Sequence, residues 1–258
     1  MGLDAYVYCR CWQDGLAAPC PVGPVGYDDD GYLDLLLPWE GNESAHDVFQ
    51  GWLARACPHE LMEQADERVS NWPGVRLFQQ AVRSAGTTRF PLLAAALPNN
   101  NGGRLPADQV GALLLELDAF RQTRLADEVE LVDEATGRGV MTYVEAYRGV
   151  LVLGPGLRAG VDPDGFFVLD TSADPPVTRF RATRFTQRPL PGGEVEFVVG
   201  TTRTRVAMSP VGEHGQPPPE LLAVRTRPRC ADDYAYIVEP LRRLCAASLA
   251  TGNPVMWC

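Results

Sequence analysis

The chain contains no lysine; all 23 of its basic residues are arginine. That absence removes whole chemistries. A phosphate-binding loop needs its lysine, a Schiff-base or pyridoxal enzyme needs a side-chain amine, and a protein kinase needs its strand lysine. None of these can be built from this chain alone. Histidine is scarce as well, with only His46, His59 and His214. His59-Glu60 has no second histidine at the spacing of a helical zinc-protease motif. No window approaches 18 consecutive apolar residues, so no transmembrane helix is expected. No internal repeat is visible. The opening Met-Gly-Leu-Asp-Ala-Tyr has no basic stretch and carries Asp4, which argues against a signal peptide. Tyr6 stands where an N-myristoylation site needs Ser or Thr.

What is present suits a folded protein. The chain is 258 residues long and 45% hydrophobic, enough to bury a sizeable core without staples. The net charge of −10 disfavours nucleic acid and membrane surfaces as partners. Seven cysteines is an odd number. Without a signal peptide this points to a reducing cytoplasm with free or metal-bound thiols. Lysine depletion with abundant Ala, Gly, Pro and Arg suggests a GC-rich bacterial genome.

Periodicity divides the chain. Residues 3–12 alternate, with Ala5, Val7, Cys9 and Cys11 on one strand face. A second strand is expected from Tyr32 to Leu37, able to pair with the first as a long-looped hairpin. Helical spacing follows. One helix starts near Ser44, with Val48, Phe49, Trp52 and Leu53 as its apolar stripe. A second is expected from Pro58, with Leu61, Met62, Ala65 and Val69, then a break at Asn71-Trp72-Pro73-Gly74. A third runs from Val75 to Ala85. Phe90 to Leu97 fits either a strand or a helical turn, and Pro106 opens a helix to about Thr123. After Leu125 the pattern turns to β, with strands expected at 129–132, 140–144, 149–153, 166–169, 178–185, 195–199, 202–208 and 222–226. A final helix spans about Asp232 to Leu249, and Pro254 to Cys258 closes as a short strand. The grouping predicts an α+β fold: an N-terminal strand pair and helices, a mainly antiparallel β-sheet region, then a C-terminal helix. A single domain over 1–258 is expected, with a possible sub-domain boundary near 125 between a helix-rich 1–124 and a β-rich 125–258.

Chemistry concentrates in two short stretches. Cys9 and Cys11 on one strand face, with Cys57 and His59 of the Cys57-Pro58-His59-Glu60 stretch, supply three sulfurs and an imidazole. That set suits one tetrahedral zinc ion, and four protein ligands make a structural site. Cys57 is expected at a helix N-cap, where the dipole favours a thiolate. His46 and Cys20 are the substitute ligands, and Cys258 a remoter one. The same residues allow a thiol enzyme with Cys57 as nucleophile and His46 or His59 as base. On a helix, however, the Cys57 and His59 side chains would diverge. Asp28-Asp29-Asp30 lacks the glycine and distal glutamate of a calcium loop. Gly154-Pro155-Gly156 lacks the third glycine of a dinucleotide fingerprint and reads as a turn. His214 sits in a Gly-rich loop and is expected to be solvated.

Between Val177 and Arg229 nine arginines face Glu194, Glu196, Glu213 and Glu220. Arg179 and Arg181 share a strand face, as do Arg203 with Arg205, and Arg225, Arg227 and Arg229. If those strands are neighbours, one sheet face carries a guanidinium array able to bind a small anionic ligand or an acidic protein. Such a face would serve a metal-free interaction or regulatory, antitoxin-like module. The bland alternative is a solvated face paired with Glu194, Glu196 and the acidic first half. Phe180 is out of phase with its arginine neighbours and points to the core, so the face lacks the stacking aromatics that single-stranded nucleic acid needs.

The opening Met-Gly-Leu-Asp-Ala-Tyr-Val-Tyr-Cys-Arg-Cys, with the later Cys-Pro-His-Glu, resembles a group of uncharacterised bacterial proteins that begin similarly. The resemblance covers those stretches and the Thr251-Gly252-Asn253-Pro254 tail, and it implies no activity.

Overall fold

A computed structural model describes residues 2–212 and 215–258; Glu213 and His214 lie outside the described residues. The chain begins with β1 (Gly2–Tyr8), the short β2 (Val25–Tyr27) and β3 (Leu33–Leu35), and α1 (Glu43–Leu53). Next come β4 (Glu63–Asn71), α2 (Trp72–Gly86), α3 (Pro91–Ala96), β5 (Arg104–Leu105) and α4 (Ala107–Phe120). Strands then dominate: β6 (Glu128–Asp133), β7 (Gly139–Thr142), β8 (Val150–Gly154), β9 (Leu157–Asp162) and β10 (Gly165–Asp170). They continue with β11 (Val177–Ala182), β12 (Arg184–Leu190), β13 (Glu194–Val199), β14 (Thr202–Val206) and β15 (Leu221–Arg227). The chain ends with α5 (Ala235–Thr251) and β16 (Val255–Trp257). Every strand pair is antiparallel, and the class is α+β. Two compact units form: residues up to Arg124 together with Cys230–Cys258, and Leu125–Arg229.

The first unit is built on a four-stranded sheet of order β4-β1-β16-β5. Leu3, Ala5 and Val7 of β1 alternate onto one fully buried face, against α2 and α5. Asn71 caps α2 by accepting from the Gly74 N–H at 2.8 Å, and Pro73 sits in the first turn, where its missing N–H costs nothing. The sequence that looked like a break is therefore a helix start. Phe78, Phe90, Phe120 and Tyr234 pack edge to face between these helices. α5 ends at Gly252, whose φ of 72° is the left-handed cap that glycine adopts without strain.

A second, smaller core in this unit joins the end of β1 to the β2–β3 hairpin and α1. Leu33, Leu35, Phe49, Trp52, Leu53 and Met62 are buried in it, together with Cys9 and Cys11. β3 pairs with β2 rather than β1, whose two edges are taken by β4 and β16.

The expected helix from Pro58 does not form. A single turn at Glu60–Met62 leads directly into β4, because Leu61 and Met62 take positive φ angles of 51° and 59°. Helix-favouring residues such as Glu63, Gln64 and Ala65 are overridden by pairing with β1, a tertiary gain larger than their weak local preference. Phe90 to Leu97 resolves as a helix, α3.

The second unit places two antiparallel sheets face to face, β11-β10-β9-β8 and β14-β13-β12-β15-β6-β7. Phe166 and Phe180 from one sheet stack on Phe185 and Phe197 from the other, with centroids 5.1 and 4.8 Å apart. Two features differ from the pattern read along the chain. β9 occupies 157–162, where Gly160 interrupts the apolar signal, and the run 178–185 splits at Thr183 into strands of different sheets.

Candidate metal centre

β1 ends at Tyr8, so Cys9 and Cys11 lie just beyond the strand, Cys11 inside a turn. Backbone bonds fix them there. The Cys9 N–H donates to the Met62 carbonyl at 2.7 Å, and the Cys11 carbonyl accepts from Leu16 and Ala17. Cys57 and His59 come from the bend between α1 and the turn at Glu60–Met62, not from a helix N-terminus, so no helix dipole acts on Cys57. In that bend the two side chains converge: Cys57 Sγ lies 3.7 Å from His59 Nδ1. Cys9 Sγ lies 3.7 Å from Cys57 Sγ, and Cys11 Sγ 3.5 Å from His59 Nδ1.

These spacings match a coordination tetrahedron. Bonds of about 2.3 Å to sulfur and about 2.0 Å to nitrogen give S···S edges near ~3.8 Å and S···N edges near ~3.5 Å. All four donor atoms lie within 4.8 Å of one another, and the cluster can hold a metal ion. A disulfide is a poor description of the same atoms, since 3.7 Å is far beyond a bond of about 2.05 Å. All seven cysteines are free. Cys9 and Cys11 are buried; Cys57 and His59 are partly exposed. Burial pushes the Cys9 thiol up to about 12 and raises Cys11 as well.

A further layer holds the ligand loop; of it the sequence had drawn attention to the Thr251-Gly252-Asn253-Pro254 tail, without giving it a role. Asn253, buried beyond the end of α5, donates to the carbonyls of Tyr8 and Cys9 at 2.8 and 3.1 Å. Gln13 bonds the same carboxamide from the other side. Arg10 donates to the Thr251 carbonyl at 3.0 Å, engaging the carbonyl end of α5.

The substitute ligands lie elsewhere. His46 is buried with Nε2 3.1 Å from the Leu37 carbonyl, and its ring packs against Trp39. Among the described residues, neither His46, Cys20 nor Cys258 joins the donor cluster.

Arg179 and Arg181 lie on β11, in a different sheet from Arg203 and Arg205 on β14 and Arg225 and Arg227 on β15. β13 and β12 separate β14 from β15, so the six arginines are not one array on neighbouring strands. Cross-strand register does put Arg203, Arg205, Arg225 and Arg227 on one face of the six-stranded sheet, with Arg184 and Arg188 from β12 between them. The carboxylates of that face are neighbours in the sheet. Glu130 is 1% exposed beneath Arg225 at 3.1 Å and Arg227 at 3.8 Å, and Glu196 meets Arg203 at 3.3 Å and Arg205 at 3.2 Å. Arg179 and Arg181 pair with Asp170 and Asp162. Arg184 and Arg188 belong to this face in a way that becomes legible only once the chain is broken at Thr183.

No protein-family model matches the chain, no curated protein matches its sequence and no solved structure matches its fold. Among the described residues no helix is long and apolar enough to cross a membrane.

Proposed function

We propose that Cys9, Cys11, Cys57 and His59 bind one zinc ion in a structural role. The observation that carries this is the set of three donor–donor distances, 3.5 to 3.7 Å, at the edges expected of a zinc tetrahedron. Three thiolates and an imidazole suit zinc, and four protein ligands leave no open position for a substrate. The small core around the site supports a stapling role. Apart from Met256 of β16 its buried residues run from Tyr8 to Met62, a stretch whose regular elements are two three-residue strands, one helix and a single turn, and so short of apolar burial. Structural zinc contributes on the order of 10–16 kcal/mol of apparent binding energy, which becomes folding energy.

Elemental analysis of protein purified without added metal tests this. About one equivalent of zinc is expected. Cys9→Ser and Cys57→Ser should lose it, while Cys20→Ser and Cys245→Ser keep it. A fully folded chain with less than ~0.1 equivalent of any transition metal overturns the reading.

Two other readings have one observation each. The approach of Cys57 to His59 favours a thiol enzyme; alkylation of Cys57 no faster than free cysteine after metal removal sinks it. The shared face of Arg203, Arg205, Arg225 and Arg227 favours an anionic ligand or acidic partner. Against it, Glu130 and Glu196 already engage those guanidiniums.

A further inference from the structure

On the outer face of the six-stranded sheet, guanidiniums outnumber carboxylates most clearly at one place. Glu196 on β13 is buried, and two arginines share it: Arg203 through Nη1 at 3.3 Å and Arg205 through Nε at 3.2 Å. Arg205 stands opposite Glu196 from β14, and Arg188 stands opposite it from β12, on the same face. Arg188 is exposed and makes no ion pair or hydrogen bond among the described residues. The other carboxylate on this face of β13, Glu194, pairs in register with Leu190 beside the turn. Elsewhere in the unit the paired arginines are closer to balance. Arg179, Arg181 and Arg184 each have a carboxylate of their own, Asp170, Asp162 and Glu134. Arg225, Arg227 and Arg229 share two, Glu128 and Glu130. Around Glu196 three arginines flank one carboxylate.

A shared carboxylate positions these guanidiniums without neutralising them. The side chains of Arg203 and Arg205 remain 68% and 65% exposed, so their charge faces solvent. Each donates a single hydrogen bond to Glu196, which leaves most of its N–H donors open. Donors already held in place lose little freedom on binding. The patch also acts locally, because salt screens the overall charge of −10 beyond about 8 Å. A surplus of positive charge gathered at one point suits a small, multiply charged anion. A phosphate monoester carries a charge of about −2 at neutral pH and has three oxygens to divide among three guanidiniums. A phosphodiester or a carboxylate brings one charge only. Nucleic acid would also need aromatic side chains to stack on, and beside Glu196 and Arg188 this face presents Val198 and Thr186.

We infer that Arg188, Arg203 and Arg205 bind the phosphate group of a small phosphate monoester. Arg188 and Arg205 approach it from the strands on either side of β13, and Glu196 is the positioning residue that holds Arg203 and Arg205 for it. Arg188 had no place in the array expected from the sequence; the register of β12 with β13 adds it. All four residues belong to the second unit, so the site does not depend on the metal centre.

Isothermal titration calorimetry of the full chain at about pH 7.5, with phenyl phosphate, inorganic phosphate and dimethyl phosphate at matched ionic strength, tests the inference. Saturable binding of phenyl phosphate and of inorganic phosphate is expected, with a Kd of ~1 mM or below. Dimethyl phosphate, a monoanion, should bind roughly tenfold more weakly or worse. Arg188→Gln and Arg205→Gln should each weaken phenyl phosphate roughly tenfold, while Arg179→Gln, on the other sheet, leaves it unchanged. Arg188 is exposed and unpaired, so its replacement leaves the fold intact. Affinity should also fall several-fold between about 50 and about 300 mM sodium chloride. Absence of saturable binding up to ~20 mM, equal affinity for monoester and diester, or an Arg188→Gln protein that binds as the parent does overturns the inference. So does binding of inorganic phosphate with exclusion of phenyl phosphate, which would make the ligand the free anion.

Discussion

Asn253 donates its amide to the carbonyl of Cys9 at 3.1 Å, across 244 positions of sequence. With its second bond to the Tyr8 carbonyl, it ties the end of α5 to the loop that carries two of the four candidate ligands. Replacing Asn253 by Ala leaves both carbonyls buried without this donor. A loss of about 2–3 kcal/mol in chemical denaturation is expected. Metal affinity should fall roughly ten- to a hundredfold in chelator competition, as for other residues that orient ligands from behind. Gln13→Ala, which removes only the outer contact, should do less on both measures. Equal metal affinity in Asn253→Ala and the parent would show that the loop holds its shape alone.

Leu61 stores backbone strain next to the ligands, with a φ of 51°. Gly is free at that angle, whereas any L side chain meets its own carbonyl there. Leu61→Gly should therefore be more stable than Leu61→Ala by about 1 kcal/mol, the reverse of the usual order. Both variants remove the same side chain, so the comparison isolates the backbone. Urea midpoints of the two metal-loaded proteins measure it.

Glu63 begins β4 opposite Tyr8. Burial, then the charges of Asp66 and Glu60, push its carboxyl from the ordinary 4.5 up to about 7. The folded protein holds this proton more tightly than the unfolded chain. The stabilisation is therefore complete below about pH 4.5 and is lost as pH rises through about 7. Glu63→Gln should be more stable than the parent at about pH 8 and lose that advantage at about pH 4. Denaturation midpoints at the two pH values decide it, and an advantage independent of pH would assign the effect to packing.

In the second unit Gln187 is 2% exposed and fully bonded. Its amide donates to the carbonyls of Val211 and Pro219 at 2.6 and 2.8 Å, and its carbonyl accepts from the Val211 N–H at 2.8 Å. Gln187→Leu strands three buried backbone groups and should cost about 3 kcal/mol. Gln187→Glu should cost more, because a carboxylate would face two carbonyl oxygens. Hydrogen exchange at the Val211 amide reports the local opening directly.

The long, strongly periodic elements were legible before any coordinates. α2 and α4 follow their apolar stripes, and the antiparallel character after Leu125 follows from period-two runs separated by Gly/Pro turns. Misreadings occurred where local preference and tertiary pairing disagree. Glu63 to Asn71 looks helical by composition, but β1 needs a partner on its open edge, and β4 supplies it. Asn71-Trp72-Pro73-Gly74 contains breaker residues that, once a strand precedes them, form a helix cap. The arginine faces shifted for a similar reason. A single residue between the strands, Thr183, moves the chain from one sheet to the other and carries Arg179 and Arg181 away from Arg184 and Arg188.

The candidate ligands themselves were written in the sequence. Cys-x-Cys and Cys-x-His each keep two suitable donors near one another along the chain, and donor chemistry then selects a metal of zinc's kind. Sequence could not supply the joining of the two pairs. Closing the loop of some fifty residues between Cys9 and Cys57 carries an entropy cost, which falls to a small core of Phe49, Trp52 and Met62 and to the backbone bond from Cys9 to Met62. The Thr251-Gly252-Asn253-Pro254 tail was noticed, but the contact of Asn253 with the ligand loop, made from the far end of the chain, was invisible for the same reason. Local sequence decides which atoms can act as ligands, and only long-range packing decides which of them meet.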